Sequence, residues 1–347
     1  GITGDVIFEF TDDYYEVGDV NNDVDPSVDM TSHIVGLGEE NQITFRAAQN
    51  RSVQRGGVEI HFVGGSGIGF KFGQSVMPSN VNAPVHVVRE SKKKQFANFP
   101  GYVTFDGGDI KSLRFVVDNA NTEFRTAFYL GNGTKNIMIK NCLIEDASPN
   151  GLCSLPHYMF NSGSSAFEYE PDNRSTDESV EAYTTGILLR SMVPMDENDA
   201  NPYGLDTLNN AYNAFTGNEI SHFGYGIVSL GNGVLFRQGH AEFNKYYNNN
   251  NLYRDNIISD VSRAGMFFGY EMNSTVHNNR IYNVSGSCGM DAAGIICGGE
   301  GEGGWNGYHT IAMSIDGNEI SGVSSSMMSY GIKIEQAQIS FQHPSKG

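Results

Sequence analysis

The sequence predicts an all-β fold, a parallel β-solenoid with long loop insertions, and three observations predict it. The first is a repeat. Units superpose on one asparagine each, at Asn141, Asn218, Asn256, Asn279 and Asn318. Three positions earlier stand Met138, Phe215, Tyr253, Val276 and Ile315, and two positions later Leu143, Ile220, Ile258, Ile281 and Ile320, so both columns are wholly apolar. The second is short alternating stretches broken by Gly, Asn and Asp, with nothing that reads as a long amphipathic helix. The third is composition. Of 347 residues 42 are Gly and only 10 Pro, which suits many turns between short strands and not disorder.

In chain order, Gly1 to Phe10 sets Val6, Phe8 and Phe10 against Asp5, Ile7 and Glu9, the pattern of a half-buried strand. Asn41 to Ala47, Val58 to Phe62 and Tyr102 to Asp106 repeat it. From Asn141 each anchor is preceded by Lys140, Gly217, Asp255, Asn278 or Gly317, pairs suited to a tight bend of positive φ. Anchor asparagines stacked in successive turns can hydrogen-bond one another. The fifth residue after the anchor is Phe223, Val261, Val284 or Val323, while the Asn141 unit slips by one to Ala147. A Gly then precedes Ile or Met at Gly186, Gly226, Gly265, Gly294 and Gly331.

Strand, bend and strand recurring once per coil, with equal strand direction in successive coils, give a parallel solenoid around a continuous apolar core. Residues 1–100 are expected to hold an amino-terminal cap and the first coils. Residues 101–336 hold the remaining coils, with insertions at 149–212, 232–250 and 298–309. Residues 337–347 form a tail expected to continue in the native chain.

A net charge of −18 leaves no basic surface to neutralise phosphates, which excludes nucleic acid as a partner, and no apolar run reaches the length of a membrane span. Cys142, Cys153, Cys288 and Cys297 form two sequence-local pairs. Three disulfide connectivities and free thiols all remain open, and the absence of a Cys-x-x-Cys spacing argues against structural zinc.

Gly4 to Phe10 followed by Tyr14 and Tyr15, Asn41 to Ala48, Tyr102 to Ile110 and Asn136 to Ile144 together resemble the right-handed parallel β-helix proteins of Bacteroidetes-type bacteria, surface or secreted substrates of type IX secretion. The resemblance spans nearly the whole chain and departs from the family at Asp13, where Gly is usual, and in its long inserts. It implies an extracellular or cell-surface, non-enzymatic protein with flanking domains, whose loops serve adhesion or glycan binding.

Three sets of residues are candidates for chemistry. Asp19, Asn21, Asp23, Asp25 and Asp29 place oxygen ligands at alternating positions, as a calcium loop does, although Val24 stands where such a loop needs Gly. Arg254, His277 and Asp316, each two residues before an anchor, are expected to project from one sheet face about 5 Å apart. Thr216 and Ile139 occupy that position in the earlier units. With a basic residue to abstract a sugar proton and a cation or acid to manage the uronate charge, the trio would serve a polysaccharide lyase or hydrolase acting on an acidic glycan, the alternative to a binding module. The bland reading is a solvent-facing charge ladder. Finally Trp305, Tyr308 and His309, with Tyr246 and Tyr247 in the neighbouring insertion, are expected to offer aromatic faces to a sugar or another cell-surface ligand. A third reading makes the solenoid a building block of a surface filament.

Overall fold

The computed structural model describes residues 1–21, 26–31, 34–73, 101–118, 125–131, 133–147, 184–191, 209–231, 241, 244–286, 291–298, 309–334 and 337–338. Among them there is no helix, and the strands stack into three parallel sheets of eight strands each, with a fourth sheet of four short strands at one corner. Each coil contributes one strand to each long sheet, which is the parallel β-helix predicted.

The first sheet stacks Val6–Phe10, Ile43–Ala47, Gly101–Asp106, Lys135–Lys140, Ala214–Thr216, Leu252–Arg254, Thr275–His277 and Ser314–Asp316. The second stacks Tyr14–Val17, Val58–Phe62, Leu113–Val117, Leu143–Asp146, Glu219–Ser221, Ile257–Val261, Arg280–Gly286 and Glu319–Ser325. The third stacks Val28–Met30, Ile68–Phe72, Arg125–Leu130, Thr184–Arg190, Tyr225–Leu230, Ala264–Gly269, Ala292–Cys297 and Ser329–Ile334. Residues 6–72 therefore supply the first two coils in full. Among the described residues no separate cap precedes them.

The core follows from strand alternation, which sends every second side chain inward. Phe8, Phe45, Phe105, Ile139, Phe215, Tyr253, Val276 and Ile315 form one inward column of the first sheet. Tyr15, Ile60, Phe115, Ile144, Ile220, Ile258, Ile281 and Ile320 form that of the second. In coils two and three the rings stack directly, Phe45 on Phe105 at 5.0 Å and Phe70 on Phe128 at 5.6 Å.

The bend between the first two sheets is held by an asparagine ladder. The backbone N–H of Asn218 donates to Asn256 Oδ1, that of Asn256 to Asn279 Oδ1 (both 3.0 Å) and that of Asn279 to Asn318 Oδ1 (2.9 Å). Each side-chain amide also donates backwards, Asn256 Nδ2 to the Phe215 carbonyl and Asn279 Nδ2 to that of Tyr253, so one residue ties three coils. Asn218, Asn256 and Asn279 are buried, where an unmet amide would cost about 1–3 kcal/mol.

One unit of the predicted repeat is displaced by a residue. Leu143 pairs with Glu219 and Ile144 with Ile220, so the anchor of the fourth coil is Cys142, whose N–H donates to Asn218 Oδ1. Ile139 and Ile144 take the core positions expected of Met138 and Leu143, and Met138 is exposed. Asn141 instead joins Gly217, Asp255, Asn278 and Gly317 in the positive-φ column, all between 53° and 67°. It suits that place because a short amide tolerates the left-handed region.

The third sheet is buried on both faces in coils three to seven. Its outward column of Tyr129, Leu188, Val228, Phe267 and Ile296 belongs to a second apolar cluster with Tyr247 and Tyr270. Two strands lie within the segments assigned to insertions, the first at the place where the Gly186 member of the column was expected. Thr184–Arg190 is a core strand inside 149–212, and Asn248–Asn249 is a corner strand pairing with Glu271–Met272 inside 232–250.

Candidate functional site

Arg254, His277 and Asp316 do lie in register on adjacent strands of the first sheet, Arg254 and Asp316 exposed and His277 half-buried, with His277 Nδ1 3.0 Å from Asp316 Oδ2. The register extends the column through every coil: Glu9, Arg46, Asp106, Lys140, Thr216, Arg254, His277, Asp316. Lys140, not Ile139, holds the place in the fourth coil, a consequence of the same one-residue displacement. Opposite charges meet along the column, Glu9 with Arg46 at 2.6 Å and Asp106 with Lys140 at 2.9 Å. Arg254 turns aside to Asp255, its Nε 3.1 Å from Oδ2. The trio is thus the far end of a mostly charged column in which three pairs of neighbouring coils carry opposite charges in contact, each pair worth at most about 1 kcal/mol.

The second sheet carries a denser network. Arg114 bridges Glu59 and Glu145, the latter at 2.6 Å, while His61 Nε2 lies 2.6 Å from Glu59 and His222 Nδ1 3.3 Å from Glu145. Glu219 is met by Arg55 and, at 3.7 Å, by Lys111. Sequence reasoning did not find this network, because its members come from four coils and the corner loops between them.

A further site lies in the interior. Glu271 is fully buried, its Oε1 accepting from Asn251 Nδ2 (3.0 Å), Tyr253 OH (3.2 Å) and Ser274 Oγ (2.5 Å), and its Oε2 from the Ser229 hydroxyl. Burial raises its carboxyl above the usual carboxylate range while these donors oppose the shift. Asn248 and Asn210 extend the patch through Ser229 and Ser191. Asn248, Asn249 and Asn251 are buried as well, and Asn251 belongs to a second internal ladder in which the Asn213 N–H donates to its Oδ1.

The predicted aromatic surface is not offered by the residues that can be placed. Tyr246 and Tyr247 are fully buried, and His309 is buried with Nδ1 2.9 Å from Tyr247 OH. Burial also lowers the His309 pKa. Tyr247 belongs to the second apolar cluster, where its ring packs against Tyr270 at 5.4 Å, and the His309 ring meets Tyr247 edge-on at 5.9 Å. Trp305 and Tyr308 lie outside the described residues.

Of the proposed calcium loop, Asp19 Oδ1 accepts the Asn21 N–H at 2.9 Å in a local turn, and Asp29 Oδ1 accepts that of Thr31 at 2.8 Å on the third sheet. Asp23 and Asp25 lie outside the described residues. Among the described residues no three His, Cys, Asp or Glu side chains converge as a cation's ligands would. Cys142 and Cys297 are buried free thiols, so Cys142 forms no bridge to Cys153. Burial raises both thiol pKa values, that of Cys297 to about 12, which leaves them unreactive packing residues.

An open cleft of about 400 Å³ lies where the corner loop of coil two overhangs the amino-terminal end of the second sheet. Its lining includes Asp13, Tyr14, Asn50, Arg51, Gln54 and Glu59.

Comparison of the chain with protein-family models, with curated proteins and with solved structures returned no match. No helix among the described residues is long and apolar enough to cross a membrane.

Proposed function

We propose that the chain is an extracellular β-helix module of a large bacterial cell-surface protein, non-enzymatic, whose rigid solenoid presents loops for adhesion or glycan binding. The observation that carries this reading is the eight-coil column from Glu9 to Asp316, in which His277 and Asp316 pair across coils as Glu9 and Arg46 and Asp106 and Lys140 do, while Arg254 is held by Asp255 of its own coil. A base already paired to a neighbouring carboxylate and open to solvent on the outer side of a sheet lacks the enclosure that makes a proton acceptor effective. A net charge of −18 also repels a polyanionic substrate. The amino-terminal strand pattern that resembles type IX secretion substrates supports export to the surface.

The test has two arms. Beads coated with the chain are expected to adhere to cells or glycan-coated surfaces above uncoated controls. Polygalacturonate or alginate incubated with the chain, with and without calcium, is expected to show no rise in the ultraviolet absorbance of unsaturated uronates. A sustained rise abolished by His277→Ala replaces the binding module with the lyase.

A further inference from the structure

The cleft at the amino-terminal end of the second sheet is open, polar and built from two coils. Its floor is Tyr14 and Glu59, cross-strand neighbours on the outward face. Its wall is the loop of residues 48–57, which is internally braced: the N–H groups of Arg51 and Ser52 donate to the Ala48 carbonyl at 2.8 and 2.9 Å, and that of Gly57 to the Gln54 carbonyl at 3.0 Å. Only glycine closes this turn, since a Cβ on Gly57 would strike the Arg51 carbonyl. The opposite wall is equally fixed, because Tyr15 OH accepts the N–H groups of Thr11 and Asp12, both at 2.9 Å. Arg51 ties the two walls, its Nε donating to the Thr11 carbonyl at 3.1 Å and its guanidinium lying 3.7 Å from Asp13. A cleft that needs no reorganisation loses little entropy on binding.

Its chemistry is selective. The Tyr14 ring is 48% exposed and is steadied by His61 at 5.1 Å between ring centroids, which leaves an amphipathic surface for the C–H face of a pyranose. Asn50 and Gln54 are exposed amides able both to donate and to accept, and Asp13 and Glu59 accept from hydroxyls. Around Tyr14 the field is negative. Lost hydration and the carboxylates of Glu16, Glu59 and Asp118 all push its phenol up. The one cation of the lining, Arg51, is turned to Asp13 and the Thr11 carbonyl, so a uronate or sulfated sugar finds no unengaged cation in the lining, whereas vicinal hydroxyls find planar acceptors and donors.

We infer that this cleft binds a neutral saccharide, with Tyr14 as the stacking platform and Asn50, Gln54, Asp13 and Glu59 as hydroxyl partners. The inference rests on the binding-module reading and names its ligand class and its place. The volume lies within the usual range of small-ligand sites.

Calorimetric titration of the full 347-residue chain with cellotetraose, mannotetraose and chitotetraose, and with tetragalacturonate as the acidic control, tests it. Binding is expected for at least one neutral tetrasaccharide and weaker or absent for tetragalacturonate. Tyr14→Ala and, separately, Gln54→Ala in the exposed loop are expected to weaken it about tenfold or more, while Arg280→Ala, far along the same sheet, leaves it unchanged. Neutral-sugar binding that survives both cleft substitutions overturns the cleft and leaves a binding module with its site elsewhere. Preference for tetragalacturonate overturns the ligand class. No binding to any neutral probe overturns the inference outright, and the bead-adhesion assay then judges the module by itself.

Discussion

Single residues carry much of the specificity of this solenoid, and glycine shows how. A Cβ on Gly226, Gly265 or Gly294 would lie 2.5 Å from the Cγ2 of Ile258, Ile281 or Ile320 and 2.6–2.7 Å from the carbonyl of the next glycine in the column. The third sheet thus approaches the isoleucine column of the second so closely that no side chain fits. Gly265→Ala is expected to destabilise by about 1–3 kcal/mol in urea unfolding, as overpacked cores do. Gly331→Ala in the last coil, with nothing within 4 Å, is expected to change little, and equal losses at both sites would refute the steric account. The Gly-Ile column was legible in the sequence because the steric need falls on one residue type.

Glu271 was not legible, since an acidic residue in a polar stretch reads as surface until the fold places it inside. Its raised pKa means that the folded state favours the protonated form. The stability so contributed is fully present below the unfolded-state carboxylate pKa, about 4.3, and is lost as pH rises through the higher folded value. Glu271→Gln keeps the shape and removes the charge. Unfolding free energies of wild type and Glu271→Gln are expected to diverge above about pH 4.3 in favour of the variant, then run parallel once the buried carboxyl has ionised. Curves parallel throughout would show that the four donors already offset the cost of burial.

At the scale of strands, existence and direction were readable from alternation, but register was not. The unit at Asn141 carries two adjacent residues, Asn141 and Cys142, that both suit a bend, and only the pairing of Ile144 with Ile220 decides between them. A one-residue displacement moves a strand's side chains to the other face, which is how Lys140 came to stand in the exposed ladder and Ile139 in the core. The first three coils were seen as strands yet not aligned with the rest, since their bends are filled by longer loops such as residues 48–57 instead of an asparagine.

The ladder itself predicts a sign. Lys140 sits between Asp106 and Thr216, so Lys140→Glu replaces a pair at 2.9 Å by two like charges on adjacent strands. A loss of roughly 0.5–1 kcal/mol is expected at low ionic strength, shrinking toward zero in 1 M salt as screening shortens the reach of exposed charges. A loss insensitive to salt would place the lysine's contribution in packing instead.

Across the whole molecule stability is distributed as in any solenoid, where each coil rests only on its neighbours. The interior coils have both. Ile258 in coil six is fully buried between Ile220 and Ile281, and the asparagine ladder runs through its bend. The last coil has one neighbour among the described long-sheet strands, and its inward residues show it: Ile332 and Ile334 are 44% and 57% exposed, with Met327 and Met328 at 64% and 60%. Fraying should therefore begin there. Amide hydrogen exchange is expected to be slowest in Ile257–Val261 and Ala264–Gly269, and fastest among the strands in Glu319–Ser325 and Ser329–Ile334. Substitution should follow the same gradient. Ile258→Ala removes about 2–5 kcal/mol by opening a cavity that neighbouring coils cannot close. Ile332→Ala, already half in water, is expected to cost under about 1 kcal/mol and to accelerate exchange only in the last coil. Equal protection in coils six and eight would show that the exposed end is held by contacts beyond its own strands, and the nearest-neighbour account of the rod would fail at the end where it makes its strongest claim.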